Sequence, residues 1–118
     1  MRITIYHNPR CSKSRASLKL LTEAGIEPRV IEYLKAPPSG TTIAKLAGLL
    51  GVPVAELLRR GESEFKAAND LPDLRDDEAL AAWLNAHPRV LQRPIVVSAD
   101  DSRAVIGRPP ENVLELLS

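Results

Sequence analysis

Arg2-Ile3-Thr4-Ile5-Tyr6-His7-Asn8-Pro9-Arg10-Cys11-Ser12-Lys13-Ser14-Arg15 and the run that continues to Gly25 decide the fold. Residues Arg2 to Tyr6 alternate and are rich in β-branched and aromatic types, the pattern of a strand. His7 to Cys11 break that pattern with turn-forming residues. From Lys13 to Ala24 the apolar positions Leu18, Leu20 and Leu21 follow helical spacing until Gly25 ends the run. Cys11 therefore stands at the start of a helix. Arg29 to Leu34, carrying Val30, Ile31 and Tyr33, reads as a second strand, and a helical crossover places it parallel to the first.

Outward from this βαβ unit, Ala36-Pro37-Pro38-Ser39-Gly40 is a turn, after which Thr41 or Thr42 is expected to cap a helix bearing Ile43, Leu46, Ala47 and Leu50. Helical pieces are expected around Val54 to Arg59 and from Asp76 to Ala86, the latter capped by Asp76 or Asp77 and burying Leu80, Trp83 and Leu84. Ile95-Val96-Val97 and Ala104-Val105-Ile106 read as short strands around the turn Asp100-Asp101-Ser102. Pro109 and Pro110 open a last helix expected to bury Val113, Leu114 and Leu117. The order predicts an α/β, thioredoxin-like fold: a mixed four-stranded sheet flanked by helices, with a helical insert over about 40–88 between strands 2 and 3.

The chain has 118 residues, which suits a single domain over 1–118. It is 44% apolar and 26% charged but only 3% aromatic, so a core is expected from Leu, Ile, Val and Ala. A net charge of +1 gives no broad field for nucleic acid or an anionic membrane, so any anion site must be local. The N-terminal apolar run is too short for a signal peptide and no stretch suits a membrane span, so a cytoplasmic location is expected. The one cysteine cannot form an internal disulfide, and redox chemistry would need a second thiol from another molecule.

Free cysteines are commonly small buried apolar residues. The loop position of Cys11, between a strand and a helix, favours a reactive role instead. Thiolate is the nucleophilic form, and it is favoured at a helix N-terminus among cations. Arg10, Lys13 and Arg15 lie close in sequence, with His7 four residues upstream. The N–H groups at such a helix start also suit a tetrahedral oxyanion, so nucleophile and anion site coincide. A tyrosine-phosphatase loop would place an arginine where this chain has Ser17, which argues against that chemistry.

The segment from Ile3 to Arg15 resembles the active-site segment of the glutaredoxin-linked arsenate reductases, the ArsC family. The resemblance continues through Tyr33-Leu34, Pro37-Pro38, Leu57-Leu58-Arg59, His87-Pro88, Arg93-Pro94-Ile95-Val96-Val97 and Gly107-Arg108-Pro109. It implies that Cys11 is the nucleophile, that His7 helps keep it ionised, and that Arg59, Arg93 and Arg108 hold the oxyanion. Guanidinium suits that role because it stays charged and offers a planar fork of donors. Arg60 is expected to be a solvated surface charge, and His87 a capping or packing residue. The resemblance also implies a cis bond before Pro94. Position 107 is Gly where some relatives have a second cysteine, so no internal resolving thiol exists.

The activity that the resemblance implies is reduction of arsenate, with glutathione as co-substrate, glutaredoxin as partner, and no bound metal or organic cofactor. A monomer is expected. The competing readings are a monothiol glutathione-dependent oxidoreductase acting on mixed disulfides, which needs Cys11 but not three arginines, and a regulator resembling Spx. Ser14 stands where the Cys-x-x-Cys switch of that regulator has its second cysteine.

Overall fold

The first expected strand forms as β1, Thr4–His7, in a computed structural model that describes residues 2–92 and 94–117. The described backbone divides into two compact units, Met1–Ala36 with Arg93–Ser118, and Pro37–Gln92.

In the first unit β1 leads through the loop of Cys11 into α1, Ser12–Glu23, and then to β2, Arg29–Glu32. The later strands are β3, Ile95–Val97, and β4, Ala104–Ile106. The sheet order is β2-β1-β3-β4. β2 is parallel to β1, as the helical crossover requires, with Ile5 opposite Val30. β3 is antiparallel to β1, Ile5 facing Val96, and β4 is antiparallel to β3, Val96 facing Val105. The chain thus has the expected mixed four-stranded, thioredoxin-like sheet flanked by helices. Ile3 and Ile5, two residues apart in the extended chain, point to one face. There they join Leu21 of α1, Val96, Val113 and Leu116 in a buried cluster, with Leu18, Leu20, Ile26 and Val105 packed around it.

Two expectations for this unit are corrected. β2 stops at Glu32, where a turn begins with Lys35 N–H donating to the Glu32 carbonyl at 2.9 Å. The last helix, Pro110–Leu117, is 3-10 and not α. Three residues per turn put Val113 and Leu116 on the buried side. Leu114 and Leu117, expected inside from α-helical spacing, are 40% and 38% exposed.

The second unit carries α2, Gly40–Leu50; α3, Ser63–Lys66; and α4, Asp77–Ala86. Ser39, and not Thr41 or Thr42, caps α2: its Oγ accepts from Thr42 N–H at 3.1 Å. The piece at Val54–Leu57 is a 3-10 turn, and a further one spans Pro88–Val90. Asp76 caps α4 as expected, accepting from Ala79 N–H at 3.1 Å. Leu80, Trp83 and Leu84 are buried, again as expected, with Ile43, Leu46, Val54, Leu57 and Val90 also inside. α3 is a single turn, too short for an apolar period and with no buried residue, and the sequence pattern offered no sign of it. Among the described residues no helix is long and apolar enough to cross a membrane.

Candidate functional site

Cys11 is the N-cap residue of α1, with φ −94° and ψ 122°, partly exposed. Its N–H donates to the Asn8 carbonyl at 3.0 Å, closing the turn after β1, and its carbonyl accepts from Arg15 N–H at 3.0 Å, opening the helix. The first turn of α1 holds no acidic residue. The positive end of the helix, with its outward N–H groups, therefore faces the thiol unopposed by a carboxylate of that turn.

Buried polar side chains brace this loop from below. Ser14 is fully buried, and its Oγ accepts from Asn8 N–H at 3.0 Å. The same Oγ lies 2.6 Å from His7 Nδ1. Asn8 Oδ1 accepts from Arg10 N–H at 3.0 Å, and Arg15 Nη1 donates to the Pro9 carbonyl at 2.9 Å. Burial lowers the His7 pKa from 6.5, with Glu32 opposing the shift and Arg15 adding to it. The imidazole is thus neutral at pH 7, bound to Ser14 through Nδ1. Its contact with the thiol loop is the one to Ser14, whose Oγ also accepts from Asn8 N–H. A bracing role for Ser14 or Asn8 was not expected from sequence: a buried serine in a helix carries no pattern that separates it from a solvated one.

A cation reaches the thiol from a residue distant in the chain. β4 ends at Ile106, and Arg108 extends Nη2 to 3.8 Å from Cys11 Sγ. A guanidinium at that distance stabilises negative charge on the sulfur. The bond between Arg108 and Pro109 is cis. Gly107 lies buried between two neighbours: its N–H donates to the Pro94 carbonyl at 2.9 Å, and a Cβ there would overlap Ser17 Oγ and stand 2.7 Å from Pro94 Cγ. A side chain at position 107 thus has no room, whether that of cysteine or of any other residue. Ser17, the residue in the phosphatase-arginine position, is fully buried beneath this glycine.

Arg59 belongs to the second unit, where its N–H donates to the Val90 carbonyl at 2.6 Å beside the bridge between Leu58 and Leu91. Its guanidinium is about three-quarters buried and lies 3.8 Å from Glu62 Oε1. Arg60 is exposed, in line with a surface charge. Arg93 and its bond to Pro94 lie outside the described residues. His87 stacks on Trp83 with ring centroids 4.1 Å apart, and its Nδ1 is 2.9 Å from the Trp83 carbonyl, a packing role at the end of α4. Among the described residues no group of three or more His, Cys, Asp or Glu side chains is placed to hold a metal.

A profile of the ArsC family matches residues 6–116. The chain is 45% identical to the uncharacterized protein YfgD of Escherichia coli K12, over 98% of this chain and 96% of that one. It is 38% identical to the arsenate reductase of the same organism, over 98% of this chain and 80% of the other. Among solved structures, the arsenate reductase from Vibrio cholerae superposes with a TM-score of 0.85 at 42% identity, covering 98% of each chain.

Proposed function

The chain belongs to the ArsC family, and from that premise we propose that it reduces arsenate to arsenite, with glutathione and a glutaredoxin supplying the electrons. The observation that carries this reading is the approach of Arg108 Nη2 to 3.8 Å from Cys11 Sγ at the start of α1. Cation, helix N–H groups and nucleophile converge on one point, where a tetrahedral oxyanion would meet the sulfur.

The Cys11 thiolate attacks arsenic and displaces one hydroxyl, which takes up a proton from solvent and leaves as water, so that arsenic stays pentavalent and is bonded to sulfur. A glutathione thiol displaces a second hydroxyl as water. A glutaredoxin thiolate then attacks the glutathione sulfur; the sulfur–arsenic bond breaks with its electron pair passing to arsenic, and a mixed disulfide of glutathione and glutaredoxin leaves. Arsenic is now trivalent on Cys11, and water releases it as arsenite. Two thiols become one disulfide, which balances the two electrons gained. In this scheme Arg108, with Arg59 and Arg93, holds the arsenic oxygens. A reducing compartment such as the cytoplasm suits an enzyme whose nucleophile is a free thiol.

A coupled assay tests the reading. Arsenate-dependent oxidation of NADPH is expected only with glutathione, glutaredoxin and glutathione reductase present, and not in Cys11→Ser. Rapid reduction of a glutathione mixed disulfide under the same coupling, with no response to arsenate, would replace it with the general thiol oxidoreductase.

A further inference from the structure

Arg108 sits on a turn with little regular structure of its own. Its N–H donates to the Ile106 carbonyl at 2.8 Å, only two residues back. A single side chain spans both ends of that turn: Asn112 Nδ2 donates to the Ile106 carbonyl at 3.2 Å and to the Arg108 carbonyl at 3.2 Å. One amide NH2 has two hydrogens, enough for one to each acceptor. The Asn112 N–H also donates to the Pro109 carbonyl at 3.0 Å, fixing the 3-10 helix to the same turn. Gly107, between the two clamped carbonyls, is held to Pro94.

We infer that Asn112 is a positioning residue for the reaction, a clamp that sets where the Arg108 guanidinium meets the Cys11 sulfur and the oxyanion bound there. The inference deepens the arsenate-reductase reading and rests on it. The chemistry requires a donor with two hydrogens on a short stem. Asp at this position would offer no donor and would set a carboxylate against two carbonyl oxygens. Gln keeps the NH2 on a stem one methylene longer. Releasing the clamp frees the turn to move by a fraction of an ångström, and guanidinium positioning relative to a reacting centre is sensitive to displacements of that size.

The test is a double-mutant cycle on full-length protein with two readouts. In arsenate turnover, Asn112→Ala and Asn112→Asp are expected to raise KM roughly three- to tenfold, as for loss of a hydrogen-bonded clamp, with a smaller change in kcat. Asn112→Gln should recover part of that loss. In an Arg108→Ala background, Asn112→Ala should change nothing further. The second readout needs no arsenate: the pH midpoint of Cys11 alkylation should rise in Arg108→Ala and, by less, in Asn112→Ala. Equal losses from Asn112→Ala with and without Arg108 would overturn the clamp and leave a structural cap. So would an alkylation midpoint that moves in Arg108→Ala but not in Asn112→Ala. If Asn112→Ala does not fold, the near-isosteric Asn112→Asp carries the same cycle. Absent arsenate turnover in wild type, with both alkylation midpoints shifted as stated, would sink the substrate assignment and keep the clamp.

Discussion

Gly107→Ala tests whether the floor of the site is as tightly built as its contacts indicate. The new methyl would overlap Ser17 Oγ and stand 2.7 Å from Pro94 Cγ and 3.3 Å from Ser17 Cβ. Retreat is blocked on both sides. Gly107 N–H is bonded to the Pro94 carbonyl at 2.9 Å, and its neighbour Ile106 is paired with Ile95 in the sheet. Ser17 is fixed in α1 and fully buried. Overpacking by one methyl in such a place costs about 1–3 kcal/mol. In urea unfolding, with a slope of roughly 1–3 kcal/mol per molar, that corresponds to a midpoint lower by about 1 M. Ser17→Ala separates the contributions. Its hydroxyl is buried with no hydrogen-bond partner among the described residues, so the single variant should be more stable by about 1 kcal/mol. The double variant should lose less than Gly107→Ala does alone, because the worst overlap is removed. A Gly107→Ala midpoint within about 0.2 M of wild type, well inside the expected shift, would refute the reasoning, since the backbone would then have moved freely.

Arg108→Ala should move the pH midpoint of Cys11 alkylation upward: a unit charge near 4 Å is worth about 1 kcal/mol in water and about 4 kcal/mol at a partly buried site, or roughly one to three pH units. Arg108→Lys should restore part of the shift but not the arsenate KM, because an ammonium lacks the planar fork. Burial favours the neutral form of His7, so the unfolded chain binds that proton more tightly. The stability contributed by neutral His7 is therefore complete above pH 6.5 and is lost as the pH falls from 6.5 through the lower folded-state value. Melting temperatures of wild type and His7→Gln, compared across that window, should converge on acidification; a constant difference would contradict the buried neutral imidazole. Arg59→Ala should impair arsenate turnover with the fold retained and Arg60→Ala should leave it near wild type, and the reverse order in a steady-state assay would show the register of the arginines to be off by one.

The βαβ opening was legible because its signals are local. Alternation from Arg2 to Tyr6 and leucine spacing in α1 declare themselves within a few residues, and the crossover rule then makes β2 parallel. The position of Cys11 at a helix start came from the same reading. The caps and the last helix were less legible for a related reason. Ser39, Thr41 and Thr42 are chemically equivalent candidates, and backbone geometry at Ser39 selects among them. Val113, Leu114, Leu116 and Leu117 offer both an α and a 3-10 stripe, and packing against the sheet chooses the second.

Sequence alone determined the set of chemical types, a thiol with cations near it and arginines at intervals, together with the elements that carry them. Tertiary structure alone decided which of these meet. Arg108 and Cys11 are 97 residues apart in the chain and 3.8 Å apart in space, because β1 and β4, each antiparallel to β3, finish at the same end of the sheet. Ser14 beneath His7, and Ser17 beneath Gly107, acquire their roles only there. Hydrogen bonds and steric overlap act over a few ångströms, whereas the sequence pattern records only the period of each element and not which neighbour comes to lie against it.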